Sequence, residues 1–139
     1  MVNETDTDEL RMLVQRLARR IRANRAGTGV TDPQLGVLFA LDKGGDSTPG
    51  RLAEHEGVTP PSMNRTLNGL EESGWVSRSP DPVDARKVIV RLTPSGDELI
   101  AETRRLRTAW FTQRLADLTP DERRLLDEVT PVLRRLAES

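Results

Sequence analysis

Thr48 to Ser73 reads "TPGRLAEHEGVTPPSMNRTLNGLEES". Two short helices joined by a tight turn are written into it. Each opens on a threonine followed by proline. The threonine hydroxyl can accept an orphan backbone N–H, and proline at the first helical position loses no hydrogen bond there. The first helix carries Leu52 and Ala53 and ends at Gly57. The second carries Met63, Leu67 and Leu70 at helical spacing and ends at Gly74. Ala53 is small enough to let the second helix approach closely, and glycine at the turn permits the positive φ of a sharp change of direction. With Val58 and Met63 at their offsets, this is a helix-turn-helix pattern. Glu56 departs from it, standing where such a turn usually has an apolar residue.

If Met63, Leu67 and Leu70 face inward, the outward residues after the Thr59 cap are Pro60, Pro61, Ser62, Asn64, Arg65 and Asn68. These are short donors and acceptors rather than the Glu and Lys of an ordinary surface helix. Asparagine pairs with adenine, and arginine with guanine or phosphate. The free N–H groups of a helix start suit a phosphate. Taken alone, the same residues suit a solvated face equally well.

The stretch that follows favours the first reading. "WVSRS" and "VIVRL" are β-branched and alternating, with Val88, Val90 and Leu92 on one face. Between them, "PDPVDARK" is too long for a two-residue hairpin turn. A hairpin with a basic tip, directly after a helix-turn-helix, is the wing of a winged helix. Asp84 and Arg86 are two apart, so extended backbone would point them the same way. The carboxylate could then aim the guanidinium, with Lys87 beside it. A pre-aimed arginine suits a narrow minor groove, where negative potential is focused.

Three more starts of the same kind, Asp32-Pro33, Thr93-Pro94 and Thr119-Pro120, each precede apolar residues at helical spacing. A further helix comes first, with Leu10, Leu13, Val14, Leu17 and Ile21 in one stripe. The expected order is four helices, a strand-loop-strand and two helices, with no internal repeat. The expected fold is mainly α with a small β-hairpin: a winged helix-turn-helix domain flanked by N- and C-terminal dimerisation helices. Its parts are residues 1–29, 30–96 and 97–139 of one compact chain.

Composition narrows the function by exclusion. The 139 residues contain no Cys, one His and no Tyr, which removes disulfides, thiolate metal sites and thiol redox switches. His55 has no fixed acid or nucleophile beside it, so neither a catalytic triad nor a metal site can be assembled, and no catalytic residue or cofactor is assigned. No run is apolar enough to span a bilayer, the acidic start is not a signal peptide, and a cytoplasmic location is expected. Net charge is −1, so bulk charge does not announce a nucleic-acid partner. Residues 10–26 hold six arginines and no acid, most simply a solvated or ion-paired helix face.

Residues 30–96, with flanking helices on both sides, resemble the MarR family of bacterial regulators. The most specific matches are "LNGLEESGWV", the Asp84-x-Arg86 pair and "LTPSG" at Leu92–Gly96. The resemblance implies a winged-helix homodimer that binds a palindromic double-stranded DNA operator, most often as a repressor. Carried over by position, Ser62, Asn64 and Arg65 would face the major groove and Arg86 the minor groove. Asn64 stands where Ser or Thr is common. The resemblance also makes Leu10, Leu13, Leu17, Leu125, Val129, Val132 and Leu136 dimerisation residues, although intrachain core is their plain alternative. It implies a small phenolic or amphipathic effector, for which Phe39 and Trp110 are candidate lining residues, although aromatics at helical spacing are more often core. The rival functions are a winged helix used for protein–protein contact and a non-specific nucleoid protein.

Overall fold

The computed structural model describes residues 4–27 and 29–139. Its elements are α1 (Glu4–Arg22), α2 (Asp32–Gly44), α3 (Pro49–Glu56), α4 (Pro60–Glu72), β1 (Val76–Pro80), β2 (Val88–Leu92), α5 (Pro94–Ala116) and α6 (Pro120–Glu138). This is the expected order. The threonine starts act as read: Thr48, Thr59 and Thr119 cap α3, α4 and α6 through their side chains. Thr119 forms a reciprocal capping box with Glu122. At α2 the cap is Thr31 rather than Asp32. Thr31 and Gln34 exchange side-chain and backbone bonds, which shifts the start one residue upstream of the reading from sequence.

The chain divides into two compact units, and α5 is shared between them. One is Arg25–Leu106; the other contains α1, the part of α5 from Arg107 onward, and α6. The core of the first unit joins α2, α3, α4, the hairpin and the start of α5. Leu38, Leu67, Leu70 and Val90 are fully buried in it. Four such side chains each stabilise the fold by about 1.5–3 kcal/mol relative to exposure. Trp75 packs on this core at its edge. Thr103 of α5 is also fully buried. Its hydroxyl accepts the backbone N–H of Ala26 at 3.1 Å, which explains how a polar group is tolerated there.

The strands pair antiparallel, from Val76 opposite Leu92 to Pro80 opposite Val88. A single residue, Ser47, bridges the other edge of β2 by exchanging two backbone bonds with Val90, at 3.1 and 2.7 Å. The hairpin is anchored to α5 by Thr93, whose N–H donates to the Trp75 carbonyl and whose hydroxyl caps Gly96. A Cβ at Gly96 would lie 2.2 Å from that same carbonyl oxygen. The glycine of "LTPSG" is therefore there for close approach of helix to strand.

The second unit is different in kind. Neither α1 nor α6 buries a single residue. Within it, the Trp110 ring lies 5.1 Å from the Arg20 guanidinium and 4.8 Å from that of Arg114. Arg107 donates to the carbonyls of Asn24 and Arg22, satisfying the end of α1. The arginines of α1 and α6 that pair with acids do so partly along their own helices, as in Arg11–Asp8 and Arg124–Asp121.

Candidate nucleic-acid interface

The turn between α3 and α4 is built as its sequence demands. Gly57 sits at φ 65° and ψ 35°, in the left-handed region that a side chain disfavours. Its N–H and that of Val58 close back onto Glu54 and Ala53. Ala53 is buried, whereas Val58 is partly exposed, at 39%. Glu56, the departure from the usual pattern, is half-buried with its carboxylate over Gly36 of α2. The glycine leaves room for it.

On α4, Met63, Leu67 and Leu70 face the core. Thr59, Pro60, Pro61, Asn64, Arg65 and Asn68 are exposed and Ser62 is half-buried. Ser62 is engaged at both ends of its backbone: its N–H donates to Thr59 Oγ1 and its carbonyl accepts from Thr66 Oγ1. Asn64 of α4 and Arg78, Pro80, Ala85 and Val88 of the hairpin line one groove of about 300 Å³. Helix and wing thus form a single concave face.

Asp84 and Arg86 are paired at the wing tip. Arg86 Nε donates to Asp84 Oδ1 at 3.1 Å and Nη2 to Oδ2 at 3.4 Å. Asp84 also accepts the backbone N–H of Arg86. These bonds, the side-chain one first, hold the Asp84 carboxyl below the ordinary carboxylate range. The geometry corrects one step of the sequence argument. Asp84 to Lys87 is a turn closed by the Lys87 N–H onto the Asp84 carbonyl, not extended backbone. The pair meets because the turn folds the carboxylate back over its own chain. Asp81 braces the other side by accepting the Val83 N–H at 2.8 Å. The Arg86 side chain is 91% exposed, and Lys87 is exposed beside it.

One contributor was not found from sequence. Arg78 of β1 donates to Asn68 at 2.7 Å and to Glu71 at 3.1 Å, tying the wing to α4. Its hydrogen bond and charge lower the Glu71 pKa. Nothing in a lone arginine of "WVSRS" identifies its partners ten and seven residues upstream.

The other candidates lie outside this face. The stripe residues Leu10, Leu13 and Leu17 of α1, and Leu125, Val132 and Leu136 of α6, are exposed, and Val129 is half-buried. Phe39 belongs to the first unit, under Arg104 at 5.4 Å, and Trp110 to the second. Phe39 also lines an open groove of about 750 Å³ between α2 and α3, with Lys43, Arg51 and His55. Among the described residues, no helix is long and apolar enough to cross a membrane, and no cluster of three or more potential ligands could hold a metal ion.

Comparison with known proteins agrees with this geometry. The sequence profile described as MarR family matches residues 28–87. The HTH-type transcriptional regulator MT0903.1 of Mycobacterium tuberculosis is 38% identical over 94% of this chain and 91% of its own length. A solved Pseudomonas aeruginosa PA01 protein superposes with a TM-score of 0.85 at 33% identity, covering 99% of both chains. A variant of E. coli MarR complexed with operator DNA matches with a TM-score of 0.63 at 26% identity over 91% of each chain. A winged helix-turn-helix, a wing-tip Asp–Arg pair and relatives of this likeness over nearly the whole chain lead to one conclusion: this chain belongs to the MarR family of transcriptional regulators.

Proposed function

We propose that the protein is a cytoplasmic repressor that binds a palindromic operator as a homodimer and is released by a small amphipathic effector. The observation that carries the reading is the concave face shared by α4 and the wing. It offers Asn64 and Arg65 on a helix, and Arg86 clamped by Asp84 on a turn, beside a groove whose lining contains no acidic residue. In this reading Ser62, Asn64, Arg65 and Asn68 meet base edges in the major groove, and Thr59, Pro60 and Pro61 seat the helix start near a phosphate. Arg86 and Lys87 enter the adjacent minor groove.

Dimerisation is supported by the apolar stripes of α1 and α6, which one chain leaves in water. Pairing Leu10, Leu13, Leu17, Leu125, Val129, Val132 and Leu136 with a second copy removes that surface from solvent and supplies a two-fold axis. Two recognition helices then enter successive major grooves, roughly 34 Å apart. For the effector, the groove beside Phe39 combines an aromatic ring with Lys43, Arg51 and His55 and with Asp46 and Glu56, a mixed lining suited to a small amphipathic compound; Trp110 is a separate candidate in the other unit.

Fluorescence anisotropy tests the reading. Affinity for DNA upstream of the protein's own gene is compared with scrambled DNA of equal length at several salt concentrations. A specific regulator favours its site by roughly 10³-fold or more and shows a steep salt slope. Equal, weak binding to both duplexes removes the proposal.

A further inference from the structure

Arg78 does more in the structure than fill a strand position. Its side chain is only 25% exposed. One guanidinium nitrogen, Nη2, donates to Asn68 Oδ1 at 2.7 Å, and Nε donates to Glu71 Oε2 at 3.1 Å. Asn68 and Glu71 are three apart, hence neighbours on one face of α4. Glu71 fixes the guanidinium from one side, and the guanidinium then fixes Asn68. A guanidinium has donors only, so the asparagine must turn its oxygen toward it. The two possible orientations of the Asn68 amide are reduced to one, with Nδ2 and its two N–H groups directed away from Arg78. Asn68 is itself exposed on the helix.

We propose that Arg78 is a positioning residue for base readout: by holding Asn68 Oδ1 it makes Asn68 an outward donor. An unrestrained asparagine offers adenine a donor and an acceptor together. With its oxygen committed, Asn68 instead selects an edge that presents an acceptor, guanine O6 or N7, adenine N7 or thymine O4, over cytosine, whose edge offers only its amine. The proposal rests on the reading that α4 enters the major groove.

The test uses the full chain and a randomised duplex library. The duplex selected by the wild-type protein is then varied one base pair at a time. One position per half-site should favour an acceptor edge, and Asn68→Ala should flatten that preference by roughly five- to tenfold. Arg78→Ala should flatten the same position, and the double variant should add nothing. Arg78→Lys should restore part of the preference, because an ammonium also donates. Should Arg78→Ala not fold, Asn68→Asp decides the matter: it keeps Arg78 partnered, has no donor, and should turn the preference toward cytosine. Uniform loss across all positions on Arg78→Ala, with the preference at the Asn68 position intact, would overturn the proposal and make Arg78 a brace for the wing. An unchanged preference in Asn68→Asp overturns it too. A library from which the wild type enriches nothing instead brings down the DNA reading, and this proposal with it.

Discussion

The Arg25–Leu106 unit and the helical unit solve the same problem in different ways. Each has apolar side chains to remove from water. The first does so internally: α2, α3, α4, the hairpin and the start of α5 surround Leu38, Leu67 and Leu70 until nothing of them is exposed. The second does not. Leu136 is 67% exposed, Leu125 64% and Leu10 62%, on helices that bury no residue at all. Scattered surface leucines need no explanation, but a stripe along two whole helices does. The contrast teaches that one unit covers its apolar residues within a single chain, while the other leaves its stripes exposed, the surface on which the proposed dimer rests.

The sharpest way to break that comparison is a charge in the stripe. Leu17→Glu is expected to give a monomer by sedimentation and to cost operator affinity about 10²–10⁴-fold, because the second half-site is no longer tethered. A dimeric Leu17→Glu protein would return the stripe to intrachain packing. Next is a cavity in the self-contained unit. Leu67→Ala should lower unfolding free energy by about 2–5 kcal/mol, read by denaturant titration, without changing the association state of the folded protein. A loss under 1 kcal/mol would mean that this core is looser than its burial implies.

Smaller effects separate the exposed face from both. Asn64→Ala should relax base preference at one operator position by about 1–3 kcal/mol, with folding unaltered. Arg86→Ala should weaken operator binding and flatten the salt dependence by roughly one counterion. Undiminished affinity with an unchanged footprint would refute the wing assignment. The smallest effect is in pH. A lowered Asp84 pKa means that the clamp is intact above the ordinary carboxylate range and is lost only as pH falls through the lowered value. Carboxyl NMR should show Asp84 titrating below its ordinary range, and Arg86→Ala should move it back up. A normal midpoint in the wild type would show the pair to be transient.

What could be seen in the sequence was local. Threonine–proline starts, Gly57 at the turn and the alternation of Val88, Val90 and Leu92 act over a few residues, and each located its element. The cap at Thr31 slipped by one because Asp32 is an equally good cap chemically; the choice fell to Gln34, whose side chain closes the box. The Asp84–Arg86 pair was found through the wrong backbone geometry, since a turn and a strand can both bring residues two apart together. Contacts across elements were not legible. Ser47 joins the sheet as one residue with no alternating apolar pattern around it, and Arg78 meets Asn68 and Glu71 only because the wing folds beside α4. The stripes of α1 and α6 were visible as stripes, yet periodicity cannot say whether the same chain or another covers them.

The two tryptophans fall one to each unit, Trp75 against the buried core and Trp110 near two guanidiniums. The chain therefore carries its own pair of optical reporters in dissimilar surroundings. Replacing Trp110 by Phe leaves emission from the winged-helix half alone, and replacing Trp75 leaves emission from the helical half. Melting curves recorded on the two variants would reveal whether the halves come apart in one cooperative step or in sequence.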